Sequence, residues 1–262
     1  MPKVSEGKVG ESLMALFKGE PKTGKKFAWA SFPEPIYCLD TDGRMASIIS
    51  NPLLNKRDIE YDTFTRYDNF YSKLEELQDN CPFKTVVWHS VTSAARLIQD
   101  WLFENRGKGK EFSELTETQR ENSKQPLSIG KIPIMGIAEY NGESSALSQC
   151  LTKCRIIRNV HKVNVIVVCH VIITESPVLG GGARVSRRIL TGGNKIASEI
   201  PGYFDEVYHF EYKLEGLSES GGRFVAHTKA TGTDFAGTSL NNLPEEIDFT
   251  NSLFYDELSK YF

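Results

Sequence analysis

Apolar residues fall along this chain mostly in short unbroken runs set off by polar turns, and alternation with polar residues appears only late. Residues 13–17, 36–39, 85–88 and 163–168 form four such runs, the last reading VNVIVV. Runs this short, bounded by turn residues and rich in Val and Ile, predict strands buried on both faces. Between them the period changes. Phe70, Leu74 and Leu77 fall on one face of a helix predicted over 69–78, and a second helix is predicted over 93–105. Leu147, Cys150, Leu151, Cys154 and Ile157 follow the i, i+3, i+4, i+7 spacing of a helix that starts near Ser144. Residues 25–31 predict about two helical turns, stopped by Phe32-Pro33-Glu34-Pro35. Residues 206–211 and 223–228 alternate around EGLSESGG and predict a hairpin.

Strand-then-helix repetition with continuous apolar strands implies an α/β fold: a mainly parallel central sheet with helices on both faces and a C-terminal β-hairpin. The expected partition is a flexible N-terminal arm over 1–11, a core over 12–232 and a tail over 233–262. Within the core, 106–128 is polar with almost no apolar anchors and is expected to be a mobile excursion. Residues 44–66 show no regular period. The tail, PEEIDFTNSLFYDELSKYF, is acidic and aromatic and either binds a partner or packs on its own core.

Composition narrows the class only a little. A net charge of -3, 40% apolar and 25% charged residues are those of an ordinary globular protein. Near-neutrality excludes no partner, since basic residues can gather in one loop. There is no apolar run of membrane-spanning length, and MPKVSEGKVG has no apolar signal core, so a cytoplasmic protein with no membrane partner is expected. The five scattered cysteines argue against a disulfide framework. Cys150 and Cys154 are spaced as two ligands on one helical turn, but no second pair follows at a zinc spacing, so the buried face of a helix is the preferred reading and no metal site is assigned.

The chemistry gathers where strands end, which is where open parallel sheets bind ligands. After the first run comes Gly19-Glu20-Pro21-Lys22-Thr23-Gly24-Lys25-Lys26. The pattern G-x-x-x-x-G-K-[ST] presents backbone N–H groups to phosphates, uses its lysine on the terminal phosphates and its hydroxyl on Mg²⁺. Here the spacing is met and the hydroxyl is replaced by Lys26. Asp40 and Asp42 end the second run, His89 and Ser90 the third, and Cys169-His170 the fourth. Residues 175–194 are a glycine- and arginine-rich loop; Arg184, Arg187, Arg188 and Lys195 on a flexible backbone suit a phosphodiester chain.

The run LFKGEPKTGKKFAWASFPEPIYCLDTDG resembles the opening of phage-encoded RecA-like ATPases described as nucleotide-binding or single-strand annealing proteins. Their opening reads strand, G-x-P-K-S-G-K-T, short helix, S-F-P-x-P, strand, D-T-E-G. The resemblance continues in order through KTVVWHSVTS, VNVIVVCHV and GNKIASEIPGYFDEVYHFEY. It implies a RecA-like P-loop NTPase core, ATP bound between subunits of a ring or filament, and work on single-stranded DNA in phage recombination within a bacterial host, alongside a single-strand-binding protein. It implies phosphate contacts from Gly19, Pro21, Lys22, Thr23, Gly24, Lys25 and Lys26. Asp42 stands where the family has a water-activating glutamate, and His170 where it has a γ-phosphate sensor, against the alternative of a core histidine. Asp40 either holds a metal-bound water or caps a turn. The loop over 175–194 would contact DNA, as would residues 129–142 with Lys131 and Tyr140. Lys213, Arg223 or Lys229 on the hairpin would reach a neighbour's phosphate as a trans-acting finger. Two departures, Lys26 for the hydroxyl and His89 for an acid, remove oxygen ligands suited to Mg²⁺. They leave Mg²⁺ use and ATP hydrolysis open. The expectation is that Lys26 and His89 partly replace the metal, in a strand-annealing or strand-exchange protein with weak hydrolysis. The alternatives are a non-hydrolysing structural or regulatory oligomer and a helicase or packaging motor.

Overall fold

The structure, a computed structural model, describes residues 12–105, 128–129, 132–133, 135–177, 183–214, 221–231 and 234–262. The expected arm over 1–11 and nearly all of the expected excursion over 106–128 lie outside them.

The apolar runs become the centre of one sheet. β1 (Met14–Gly19), β2 (Ile36–Asp40) and β4 (Thr85–His89) are buried along their whole length. β3 (Ile59–Thr63) lies at one edge with mostly exposed side chains. β5 (Ser128–Ile129) and β6 (Ile132–Pro133) form a small separate ladder. β7 (Asn164–Pro177) runs through the sheet centre and on beyond it, and β8 (Ala183–Ile189) returns antiparallel along that extension. β9 (Glu206–Leu214), β10 (Gly222–His227) and β11 (Glu246–Asp248) complete the far edge. The order across the sheet is β11-β10-β9-β1-β7-β4-β2-β3. Pairings from β9 to β3 are all parallel, and β9-β10 and β10-β11 are antiparallel, so the expected mainly parallel α/β sheet with a C-terminal hairpin is what forms.

Alternating residues of the central strands feed two cores. Leu16, Trp88, Val165 and Val167 face α3 (Tyr67–Asp79), α4 (Val91–Glu104) and α5 (Ile137–His161). The helical positions expected on one face, Leu147, Cys150, Leu151, Cys154 and Ile157, are all buried there. Burial pushes the Cys150 thiol up to about 12, so it is a protonated packing residue. On the other face Ala15, Phe17, Ile166, Tyr208 and Phe210 pack with α1 (Lys25–Trp29) and the C-terminal segment. Two short helices fill in the chain, α2 (Ala46–Ile49) and α6 (Asn194–Glu199). The last, α7 (Phe254–Leu258), inserts Phe254 beside Phe17, Phe210 and Phe249 with ring centroids 5.3–5.5 Å apart. Of the two readings of the acidic-aromatic tail, packing on its own core is the one realised here.

Three local expectations are corrected. The glycine-arginine stretch expected as a loop is a β-hairpin over much of its length, because the outer half of β7 supplies an edge for β8 to pair with. The helix expected from Ser144 begins at Ile137, inside the stretch expected as a second DNA-facing loop; Lys131 lies outside the described residues, and Tyr140 is on the helix, partly exposed. Residues 44–66, without a period, contain α2 and edge strand β3.

Candidate nucleotide site

Every parallel strand delivers its carboxyl end to the same rim. Register pairs Gly19 with His170, Asp40 with His89 and His89 with Val168, so the ends of β1, β7, β4 and β2 stand side by side. Thr41 fastens two of them: its N–H donates to the His89 carbonyl at 2.7 Å, its hydroxyl donates to the Ser90 carbonyl, and the Ser90 N–H donates back to that hydroxyl. Thr92, at the start of α4, accepts the His170 N–H at 3.0 Å.

The glycine loop has the backbone its spacing demands. Gly24 sits at φ 84 and Lys22 at φ 67, both left-handed, and a Cβ on Gly24 would meet the Phe249 ring at 2.9 Å. Thr23 donates its hydroxyl to the Glu20 carbonyl, which closes the turn. Lys25 follows directly and is only 5% exposed. Its Nζ donates to the Gly19 carbonyl at 2.8 Å and the Glu20 carbonyl at 2.6 Å, and lies 3.2 Å from the Thr23 hydroxyl. No carboxylate among the described residues pairs with it. Burial brings its pKa down to about 8, partly offset by the charges of Asp42 and Glu20. A buried ammonium held only by neutral oxygens of its own loop is poised to exchange them for a stronger anionic acceptor. Pro21 and Lys22 complete the exposed rim of the loop, and the half-buried Lys26 donates to the Arg44 carbonyl.

The two aspartates divide. Asp40 is fully buried and accepts three backbone N–H groups, from Asp42 and Gly43 at 3.1 Å and Arg44 at 3.0 Å. It caps the turn that follows β2, so both its oxygens are committed. Asp42 faces the rim. Its Oδ1 accepts the Ser90 hydroxyl at 2.8 Å, and its Oδ2 lies 3.3 Å from His89 Nδ1 and 3.8 Å from His170 Nε2. Burial works to raise the Asp42 pKa. The nearby His170 ring, the charge of His89 and the hydroxyls of Ser93 and Ser90 outweigh it, and the carboxyl ends well below the ordinary range. Burial takes His89 the other way, down to about 4. At neutral pH Asp42 is therefore ionised and His89 neutral. A ring 3% exposed sheds its proton at neutral pH, so in the ligand-free protein His89 is a neutral imidazole and Lys26 carries the added positive charge.

The rim offers a divalent metal few oxygen ligands. Lys26 replaces the hydroxyl, Asp40 is spent on its turn, and Asp42 is shared by two histidines. Among the described residues no group of three His, Cys, Asp or Glu side chains is arranged to hold a metal.

The remaining candidates scatter. Arg187 and Arg188 lie on β8 opposite Ile173 and Ile172, Arg184 lies opposite Ser176, and Lys195 starts α6 as an exposed residue. Lys213, Arg223 and Lys229 face carboxylates of their own chain, Glu246, Asp248 and Glu245, so a role across a subunit boundary would have to exchange those pairs. Sequence reasoning missed Lys18, fully buried on β1, which donates to Asp234 and lies 3.9 Å from the Phe235 ring centroid. Its one signal was a lysine interrupting an apolar strand.

No helix among the described residues is long and apolar enough to cross a membrane. Among curated proteins, none matches the chain. A family model described as AAA domain matches residues 11–240, from the start of β1 to beyond the β9–β10 hairpin. The chain belongs to that family of P-loop ATPase-like, nucleotide-binding domains.

Proposed function

Starting from that membership, we propose that residues 19–25 bind ATP by its phosphates, that turnover is slow and only weakly dependent on Mg²⁺, and that the bound state governs a grip on single-stranded DNA. The observation that carries the reading is Lys25: a buried ammonium with no acid partner, folded onto the carbonyls of a left-handed glycine loop. An arriving phosphate offers it charge-assisted hydrogen bonds that the loop carbonyls do not. Asp42 is the ionised group best placed to orient a water, and His170, tied to both Asp42 and Thr92, is the group that would sense a terminal phosphate. Lys26 supplies the charge that a metal supplies elsewhere. Lacking a hydroxyl after Lys25 and a free acid at the end of β4, the site is poorly equipped for brisk metal-assisted turnover.

β7 continues from the sensor position into the β7–β8 hairpin, whose returning strand β8 carries Arg184, Arg187 and Arg188, with Lys195 following on α6, so β7 joins His170 to the proposed DNA-facing surface. Glycines and cations there suit a single strand's backbone, in an oligomer that anneals or exchanges strands for a phage. The test is a titration of labelled single-stranded DNA with no nucleotide, with ATP, and with ATP plus Mg²⁺, while phosphate release is followed. Salt-sensitive DNA binding that shifts with ATP is the expected result; binding indifferent to ATP and to salt would refute it. A second reading, a nucleotide-holding regulatory module without turnover, is favoured by the engagement of Asp42 with two histidines. Nucleotide binding with no DNA binding would select it.

A further inference from the structure

Away from the phosphate loop, a row of charged groups crosses the sheet. Lys18 on β1 is in register with His209 on β9, His209 with His227 on β10, and His227 with Glu246 on β11, so all four project on one face. Over this row lies a small cavity of about 60 Å³, lined by Arg187, His209, Glu211, His227, Lys229, Thr231, Asp234 and Ala236. Arg187 reaches it from β8, on the strand face it shares with the buried Ile189.

The lining holds two carboxylates, Glu211 and Asp234, and two cations, Arg187 and Lys229, but they are not paired with one another. Asp234 accepts from Lys18 and lies 2.7 Å from His209 Nδ1. Glu211 lies 2.8 Å from His227 Nε2, and the other nitrogen of that ring is 3.4 Å from Glu246, which also holds Lys213. Both lining carboxylates thus have a cation or an imidazole of their own chain beside them, although Asp234 Oδ2 and His209 Nδ1 are not aligned as a hydrogen bond. The Nε of Arg187 is buried without a hydrogen-bond partner. Lys229 has only a 3.4 Å exposed contact with Glu245, the kind of surface pair that contributes little. Burial lowers the pKa of both Lys18 and His209, Asp234 partly offsets it, and the nearby charge of Arg187 lowers each further, which places the guanidinium close to both. The cavity has several times the room one water needs, about that of a tetrahedral oxyanion. Its available donors are the Arg187 guanidinium and the exposed Lys229 ammonium, which would exchange Glu245 for a phosphoryl oxygen.

We propose that this cavity is a second oxyanion site, separate from the glycine loop, that takes one phosphoryl group between Arg187 and Lys229. Two sources carry that chemistry, a nucleic-acid backbone phosphate and a free small phosphate. The site lies between the β7–β8 hairpin and the β9–β10 pair, so occupancy would clamp the hairpin to the sheet edge.

The test is calorimetric titration of inorganic phosphate into the Lys25→Ala protein, which removes the glycine-loop contribution. One remaining site is expected, weakened about tenfold or more by Arg187→Gln and again by Lys229→Gln. Arg187→Lys, which keeps the charge, should lose far less than Arg187→Gln. Melting curves in phosphate supply a second readout: Lys25→Ala should be stabilised by phosphate and the Arg187→Gln double variant should not. A short single-stranded oligonucleotide that displaces the phosphate identifies a backbone source; phosphate retained against it identifies a free one. Absence of phosphate binding in Lys25→Ala, or binding unchanged by both charge removals, would overturn the proposal. Failure of the nucleotide reading is seen separately, as ATP binding that survives Lys25→Ala.

Discussion

Asp42 Oδ2 stands 3.3 Å from His89 Nδ1, on the rim where the ends of β2 and β4 meet, and the pKa of each lies below its ordinary value, for different reasons. Burial strips the proton from His89, while hydrogen bonds keep Asp42 ionised.

This pair predicts how stability depends on pH. His89 has its pKa lowered from 6.5 to about 4, so below pH 6.5 the unfolded chain binds a proton that the folded chain refuses. Stability contributed by neutral His89 is therefore complete above pH 6.5 and is lost as pH falls toward 4, by about 3 kcal/mol. Urea unfolding at pH 7.5 and 4.5 should show this loss, and His89→Gln should flatten it. An equally steep loss in the variant would place the titrating group elsewhere.

Lys25 predicts the opposite limb for ligand binding. Its pKa of about 8 in the free protein must rise when phosphates pair with it, so nucleotide affinity is full below pH 8 and declines above it. Over the same range the free protein gains stability, because deprotonation relieves the burial of a charge. Fluorescent-nucleotide titrations at pH 7 and 9 should show the decline, and Lys25→Arg, which stays charged, should not show it.

Gly24 predicts a backbone-limited loop. Alanine there faces a left-handed φ of 84 and the Phe249 ring at 2.9 Å. Gly24→Ala should cost about 1–2 kcal/mol in chemical unfolding and weaken nucleotide binding as well. Unchanged unfolding would mean that the loop relaxes freely.

Phe254 predicts that the C-terminal segment is core. Its ring is fully buried among Phe17, Tyr208, Phe210 and Phe249. Phe254→Ala should destabilise the protein by about 3–5 kcal/mol. A loss under 1 kcal/mol, with nucleotide binding intact, would make the segment an appendage.

What was legible in the sequence follows from burial. β1, β2, β4 and the inner half of β7 are covered on both faces, so their residues form unbroken apolar runs, and the glycine loop carries its own spacing. β3, reading Ile-Glu-Tyr-Asp-Thr, is an exposed edge and leaves almost no pattern. β8 is hidden by its glycine and arginine neighbours, since it is a strand only because β7 outruns the sheet. α5 starts with exposed Ile137 and Tyr140, which have no apolar partners to set a period. At the site, spacing pointed to Lys25 and strand ends to Asp42, His89 and His170, but not to the charge states of Lys25, Asp42 and His89. Those depend on burial and, for Asp42, on His89 and the hydroxyls of Ser90 and Ser93. The Lys18–Asp234 pair joins residues far apart in the chain, and no local pattern announces it.

The Gly19–Lys25 loop is proposed to hold a nucleotide without needing a metal to do so. The most direct measurement is calorimetric titration of ATP into wild-type and Lys25→Ala protein, with Mg²⁺ and with a chelator, followed by phosphate release from the same samples. The account predicts binding that changes only a few-fold when Mg²⁺ is removed, falls about tenfold or more in Lys25→Ala, and is accompanied by little release. Binding that vanishes with the chelator, brisk Mg²⁺-dependent release, or Lys25→Ala binding equal to wild type would contradict it.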